Sequence, residues 1–174
     1  WQRWCNDLPP APLAIDAPIQ ISPASVSSVQ TTAQELEMLE SLYHQQRYKE
    51  AEPLARRLTN EFPELGFARK ILGSVLHALG RLEESLDVQK STAKLRPDDH
   101  EAHFNLACEL HQQGYLDEAV KSYISALGLD PKNAIAYSNL GNIFKTMGLV
   151  PEAEIYCRQA IDIQPDMEKA HNNL

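Results

Sequence analysis

The sequence has little positive charge, no long hydrophobic run and no paired cysteines. Its 174 residues include 16 lysines and arginines against 24 aspartates and glutamates, which gives a formal net charge of −8. An acidic surplus disfavours nucleic-acid backbones and anionic membranes, because both attract clustered lysine and arginine. No apolar run approaches the roughly 18 residues that a membrane-spanning helix requires. We therefore expect partners other than nucleic acid or membrane.

The chain has three cysteines, Cys5, Cys108 and Cys157. Their spacing forms neither a CxxC pair nor a disulfide framework. Cys108 and Cys157 fall at predicted helix-packing positions, where small semi-buried thiols are common. Free thiols suit a reducing compartment, so we expect a cytoplasmic location.

Motifs of known enzymes and metal sites are absent as well. The sequence contains no phosphate-binding glycine loop, nucleophile elbow, HExxH or paired-cysteine zinc motif, so it predicts no catalytic site, cofactor or metal. His77 and His111 are 34 residues apart and Cys108 precedes His111 by one helical turn. This set lacks a clear fourth zinc ligand. We interpret both histidines as polar groove lining or solvated surface.

The sequence does contain a fixed interval of 34 residues. It separates successive members of the proline series Pro63, Pro97, Pro131 and Pro165. Small and large residues recur in register between these prolines, in one copy as Leu106, Ala107, Leu110, Gly114, Tyr115, Ala119, Tyr123 and Ala126, and in the next as Leu140, Gly141, Phe144, Gly148, Ala153, Cys157 and Ala160. Such a period predicts a solenoid in which each helix pair buries its apolar face against its neighbour.

On these residues the chain resembles the tetratricopeptide repeat (TPR) family. The resemblance implies an all-α fold, a right-handed TPR superhelix (α-solenoid) of four helix-turn-helix repeats plus a truncated fifth. The predicted TPR array covers residues 31–174, with repeats at about 32–65, 66–99, 100–133 and 134–167 and a partial copy at 168–174. Because the last copy stops inside a helix, we expect a longer solenoid in the parent protein.

Residues 1–30 differ from the array and contain five of the eleven prolines. Proline at this density disfavours helix and strand ladders, so we predict a Pro/Ser-rich tail or linker. Its large aromatic residues are Trp1 and Trp4. Two interpretations stay open, a mobile tail and a tail that occupies a groove of its own solenoid.

The first repeat departs from the pattern. Thr31 or Thr32 is predicted to cap its first helix, and no glycine precedes its turn. Pro53 falls inside the second helix and predicts a late start or a bend. In later repeats, the predicted N-caps of the first helices are Asp98 or Asp99, Asn133 and Asp166.

The resemblance also implies that the first helix of each repeat lines a concave groove. Asn105, Asn139 and Asn173 occupy the same groove position in successive repeats, whereas repeats 1 and 2 have Glu37 and Ile71 there. An asparagine amide both donates and accepts hydrogen bonds. A row of them is similar to the asparagine ladder of O-GlcNAc transferase-like proteins and would hold an extended peptide backbone. Alternatively, asparagine simply suits a polar concave surface.

The predicted function is therefore a protein–protein interaction scaffold that binds a peptide or protein segment in this groove. Predicted groove residues are Asn105, Asn139, Asn173, Asn142, Lys145, Lys70, His77 and His111. A clamp for acidic chain ends is disfavoured, because only two of its five residue types match.

Two other functions stay open. The array is similar to the substrate-recruiting arm of larger enzymes such as O-GlcNAc transferase-like glycosyltransferases. It would also serve as a self-assembly module, through its exposed C-terminal end or its N-terminal tail.

Overall fold

The structure is a computed structural model that describes the backbone of residues 23–174 and the side chains from residue 32 onward. The sequence-based predictions for Trp1, Trp4 and Cys5 lie outside the described residues. Nine α-helices and no strand make up the described part of the chain. This result confirms the predicted all-α class.

The helices belong to two compact units, one ending at Val88 and the other beginning at Gln89. The first unit contains α1 (Pro23–His44), α2 (Tyr48–Glu61) and α3 (Gly66–Ala78), and the boundary falls inside α4 (Leu82–Leu95). The second unit contains α5 (His100–Gln112), α6 (Leu116–Leu129), α7 (Ala134–Thr146), α8 (Val150–Ile163) and α9 (Glu168–Asn173). Odd-numbered helices are the first members of the helix pairs.

The first helix pair differs from its prediction. α1 begins at Pro23, where a proline is tolerated because the first helical turn needs no N–H partner. Residues 23–30, assigned to the tail from the sequence, are therefore helical, and neither Thr31 nor Thr32 starts the helix. α2 begins at Tyr48 and continues through Pro53, so of the two predicted alternatives the late start is wrong and the bend stays a prediction. Burial of the α2 apolar face offsets the lost hydrogen bond, because packing supplies most of a helix's stability.

Side-chain caps begin two of the later first helices. Asp99 accepts hydrogen bonds from two backbone N–H groups in the first turn of α5, at 3.0 and 3.3 Å. Asn133 accepts one in the first turn of α7, at 3.0 Å. Both caps were predicted. The predicted cap at Asp166 is wrong, because α9 starts one residue later with Met167 at the N-cap position and has no side-chain cap.

The regularly spaced prolines take part in hydrogen bonds. In three repeats the proline carbonyl accepts from the side chain six residues later, which lies in the first turn of the next helix. The donors and acceptors are Arg69 Nη2 and Pro63 at 3.3 Å, His103 Nε2 and Pro97 at 2.9 Å, and His171 Nε2 and Pro165 at 2.9 Å. In these three repeats the bond joins the connection to the helix that follows.

Turns between paired helices use left-handed backbone. Gly80, Gly114 and Gly148 have φ values of 76°, 82° and 79°, a region that glycine enters without steric cost. Gln46 occupies the equivalent position of the first pair and has a φ of 58°. Because the first repeat has no glycine at this turn, Gln46 adopts a left-handed backbone conformation that L-residues disfavour.

Replacing Gln46 by glycine is expected to stabilise the first unit. A left-handed residue with a Cβ costs roughly 1–2 kcal/mol, and glycine returns about half of this through its larger loss of chain entropy. We expect a gain of about 0.5–1 kcal/mol in the free energy of unfolding, measured by urea denaturation. The neighbouring Gln45→Gly is the control and should not stabilise. Equal stability of Gln46→Gly and wild type would contradict this account.

Close approach of paired helices is clearest at Gly141 in α7. A Cβ added there would collide with Sγ of Cys157 in α8 and lie 3.3 Å from the carbonyl oxygen of Ala153. Cys157 is fully buried and Ala153 almost so. Because protein interiors are close-packed, this contact leaves no room for a methyl group, in agreement with the small residue predicted here.

Gly141→Ala is expected to lower the free energy of unfolding by about 1–3 kcal/mol through overpacking. Combining it with Cys157→Ala should recover part of this loss, since the smaller side chain removes the colliding sulfur. Gly128→Ala in α6 is the matched control. A Cβ at Gly128 meets nothing within 4 Å, so there alanine should stabilise by up to about 1 kcal/mol. Thermal unfolding of the three variants beside wild type checks the prediction, and a neutral Gly141→Ala would refute it.

A cluster of four charged side chains joins α2 to α4 in the first unit. Arg56 lies 2.9 Å from Glu52 and 2.7 Å from Glu84, and Arg81 pairs with both carboxylates as well. Hydrogen bonds from the arginines hold the pKa of Glu52 and of Glu84 below the usual 4.5. Each carboxylate therefore favours the folded state when ionised.

These pairs predict a pH dependence of stability. A carboxylate with a lowered folded pKa contributes fully above its unfolded pKa and loses that contribution as the pH falls through the folded value. Glu52→Gln/Glu84→Gln should therefore be less stable than wild type at pH 7, and the difference should shrink towards pH 3. Urea midpoints at both pH values measure it. Glu83→Gln, which removes an exposed α4 carboxylate outside the cluster, is the control, and a pH-independent difference for the double variant would contradict the prediction.

Candidate functional site

Three asparagines lie on the first helices of successive pairs in the second unit. Asn105 is in α5, Asn139 in α7 and Asn173 in α9, and each side chain is half-buried. Because 34 residues separate each from the next, they hold the same place in their repeats. We call these three residues the asparagine row.

Asn139 is joined to the core by a chain of hydrogen bonds. Its Nδ2 donates to Oη of Tyr123 at 3.0 Å, and the Tyr123 hydroxyl donates to Sγ of Cys108 at 3.3 Å. Tyr123 is fully buried in α6, and its ring packs edge to face with Phe104 at a centroid distance of 5.8 Å. One end of the Asn139 amide is therefore held by a side chain that is itself locked in the core.

The other two members of the row differ from Asn139. Asn173 Nδ2 donates to the backbone carbonyl of Ser138 in α7, at 3.4 Å. Asn105 makes no side-chain hydrogen bond to another described residue. Among the described residues, no donor reaches Oδ1 of Asn139 or of Asn173. The row thus contains two anchored amides and one without an anchor.

Asn142 and Lys145 follow Asn139 along α7. Lys145 is exposed, and its Nζ donates to the backbone carbonyl of Asn172 at 3.2 Å. Burial lowers the pKa of His111 in α5 below its usual 6.5, and the nearby side chain of Asn142 only partly opposes this effect. His111 is therefore neutral at neutral pH. Of the residues predicted to line the groove in this unit, Lys145 alone carries charge.

Lys70 and His77 complete the set predicted from the sequence. Both are half-buried on α3 and belong to the first unit. In the second unit Asn142 lies near His111, and Asn173 is hydrogen-bonded to α7.

The sequence analysis missed an aromatic cluster between α7 and α8. Tyr156 stacks on Phe144 with ring centroids 5.1 Å apart and on Tyr137 with centroids 6.3 Å apart. All three rings are half-buried. Tyr137 and Phe144 match the repeat pattern, but nothing in the pattern pairs them with Tyr156.

The bond between Tyr123 and Asn139 was also missed, although the repeat frame contains a signal for it. Tyr123 precedes Asn139 by 16 residues, and the residues 16 before Asn105 and Asn173 are Gln89 and Cys157. A phenol hydroxyl therefore occurs at this place only before Asn139. The spacing indicates where to look, but the contact itself depends on how α6 and α7 pack.

Within residues 32–174, no three histidine, cysteine, aspartate or glutamate side chains are grouped so that they would hold a metal ion. No helix in the part of the chain that the structure describes is both long enough and apolar enough to cross a membrane.

From α3 to α8 every first helix has 13 residues and every second helix has 14. With glycine turns and a small residue at the α7–α8 contact, these helix pairs define an α-helical repeat protein. Sequence models of the tetratricopeptide repeat match residues 36–100, 109–148 and 134–167. The chain belongs to the TPR family.

Solved structures of TPR proteins are similar to this chain. YrrB, described as a TPR protein with an unusual peptide-binding site, has a TM-score of 0.68, 26% identity and coverage of 86% of each chain. MamA has a TM-score of 0.72 at 18% identity, over 78% of this chain and 79% of MamA. MamA from Desulfovibrio magneticus RS-1 has a TM-score of 0.69 at 17% identity, over 77% and 76%. At such identity the MamA structures show the fold alone. No curated protein sequence matches the chain.

Proposed function

We propose that the chain is a protein–protein interaction scaffold whose second unit binds an extended peptide segment along the asparagine row. The observation that carries the proposal is the recurrence of half-buried asparagines at one repeat position on α5, α7 and α9. Two of them leave Oδ1 without a donor from the described residues. A ligand group that donates a hydrogen bond to such a half-buried acceptor stabilises the complex.

An extended peptide suits such a row because its backbone offers polar groups at regular intervals. Contacts to the backbone do not depend on the side chains of the ligand, so we expect tolerance of several ligand sequences. Similarity to YrrB supports this proposal, since the printed description of that TPR protein names a peptide-binding site. Affinity should be moderate, because ordering a flexible peptide opposes binding.

The charge of the chain supports a protein rather than a nucleic acid as partner. The net charge is −8, and Lys145 is the one cation among the predicted contacts of the second unit. We propose binding rather than catalysis, since the sequence has no phosphate-binding glycine loop, nucleophile elbow or HExxH motif. The buried free thiols of Cys108 and Cys157 suit a reducing, cytoplasmic setting.

Asn105→Ala is expected to weaken peptide binding by about threefold to tenfold, the effect of losing one hydrogen bond. The probes are peptides selected on the wild-type chain from a random dodecapeptide library, and fluorescence anisotropy measures their dissociation constants. Because Asn105 makes no side-chain hydrogen bond to another described residue, the substitution removes a ligand contact without disturbing an internal one.

Asn60→Ala is the control, because Asn60 is exposed on α2 in the first unit and should not affect affinity. The triple variant Asn105→Ala/Asn139→Ala/Asn173→Ala should lose binding to a larger extent. Circular dichroism verifies that each variant is folded. If every selected peptide bound wild type and the triple variant equally, the asparagine row would not be the binding site.

A further inference from the structure

We infer that the asparagine row is polarised and selects ligands that donate hydrogen bonds, with Tyr123 as the positioning residue for Asn139. In this arrangement the N–H end of each anchored amide faces the protein and the carbonyl oxygen faces the ligand. The inference deepens the proposed function, and its part about ligands rests on that function. Its part about the amide orientation applies to the free protein.

The orientation of Asn173 follows from the chemistry of its partner. Its Nδ2 lies 3.4 Å from the backbone carbonyl of Ser138, and a carbonyl oxygen can only accept. Reversing the amide would place two oxygens against each other and lose the bond. Asn173 therefore directs Nδ2 to α7 and leaves Oδ1 for another partner.

The orientation of Asn139 follows from the hydrogen-bond chain behind it. The Tyr123 hydroxyl has a single hydrogen and gives it to Cys108 Sγ, 3.3 Å away. Its oxygen is therefore an acceptor towards Asn139, whose Nδ2 lies 3.0 Å away. Burial of Tyr123 and its contact with Phe104 keep this acceptor in place, so Asn139 has the same polarity as Asn173.

Two adjacent members of the row consequently present carbonyl oxygens, and the third is unanchored. A ligand segment that lies across Asn139 and Asn173 must bring donors, and the backbone N–H groups of an extended peptide meet this requirement. This differs from an amide that pairs with a peptide N–H and C=O together, as the sequence alone suggested. Asn105 makes no side-chain hydrogen bond to another described residue, so its amide can both donate to a ligand and accept from it.

The first experiment measures hydrogen exchange of the asparagine side-chain amides in the free, full chain by ¹⁵N NMR. We expect the Asn139 side-chain amide to exchange several-fold more slowly than that of Asn105, because one of its hydrogens is bonded to Tyr123. Tyr123→Phe keeps the ring in the core and removes the acceptor, so it should abolish this protection. Tyr156→Phe removes a tyrosine hydroxyl of the same unit and should leave the protection intact.

The second experiment compares Asn139→Asp with Asn139→Ala against peptides selected on the wild-type chain. Aspartate keeps an acceptor for the ligand. Its second oxygen can take the Tyr123 hydrogen that points to Cys108 in wild type, and the Cys108 thiol can then donate to the phenol oxygen. We expect Asn139→Ala to weaken binding about fivefold and Asn139→Asp to bind within about twofold of wild type. Replacing the ligand amide opposite Asn139 by an ester, which removes the N–H, should weaken binding to wild type but not to Asn139→Ala.

Either experiment can overturn the inference. Exchange of Asn139 as fast as that of Asn105 in wild type would show that the amide is not held through Nδ2, whatever the ligand. Loss of binding in Asn139→Asp equal to that in Asn139→Ala would show that the ligand needs an N–H from Asn139. A selection that yields no peptide sensitive to the row contradicts the proposed function, and the exchange measurement then still decides the orientation.

Discussion

The close approach of paired helices at a small residue is the constraint on which the second unit depends. Gly141 lets α7 pack directly against Cys157 of α8, with no space for a methyl group. The same approach brings Tyr156 onto Phe144 and Tyr137. Since Asn139 and Asn142 are in the same helix as Gly141, a larger side chain at this contact would shift the candidate binding residues as well as the core.

Fold and candidate site share hydrogen bonds in this chain. Tyr123 is a core residue, and it also holds Asn139 at the edge of that core. Asn173 likewise donates an N–H to the backbone of the neighbouring α7. Because each anchored amide has already formed one internal bond, binding of a ligand at the proposed site would cost less rotational freedom. The internal bond also restricts the ligand, because the remaining amide oxygen can only accept a hydrogen bond.

Local signals explain what could be predicted. Gly114 and Gly148 recur in the repeat frame and lie at turns, and Asp99 and Asn133 were expected at helix starts, because each acts on backbone within a few residues. Among the predictions that failed, one lies at a helix boundary and one where packing decided. Asp166 is one residue too early to cap α9, and Pro53 does not delay α2 because buried neighbours hold that helix.

The sequence by itself determined the 34-residue period, the all-α class, the TPR family and the register of Asn105, Asn139 and Asn173. These follow from helical periodicity and from glycine and proline backbone preferences, which operate inside one repeat. Only the tertiary structure decided that Asn139 bonds to Tyr123 and that Tyr156 stacks on Phe144. Such contacts join separate helices, and their geometry depends on how closely and in what rotation those helices pack, which no spacing along the chain encodes.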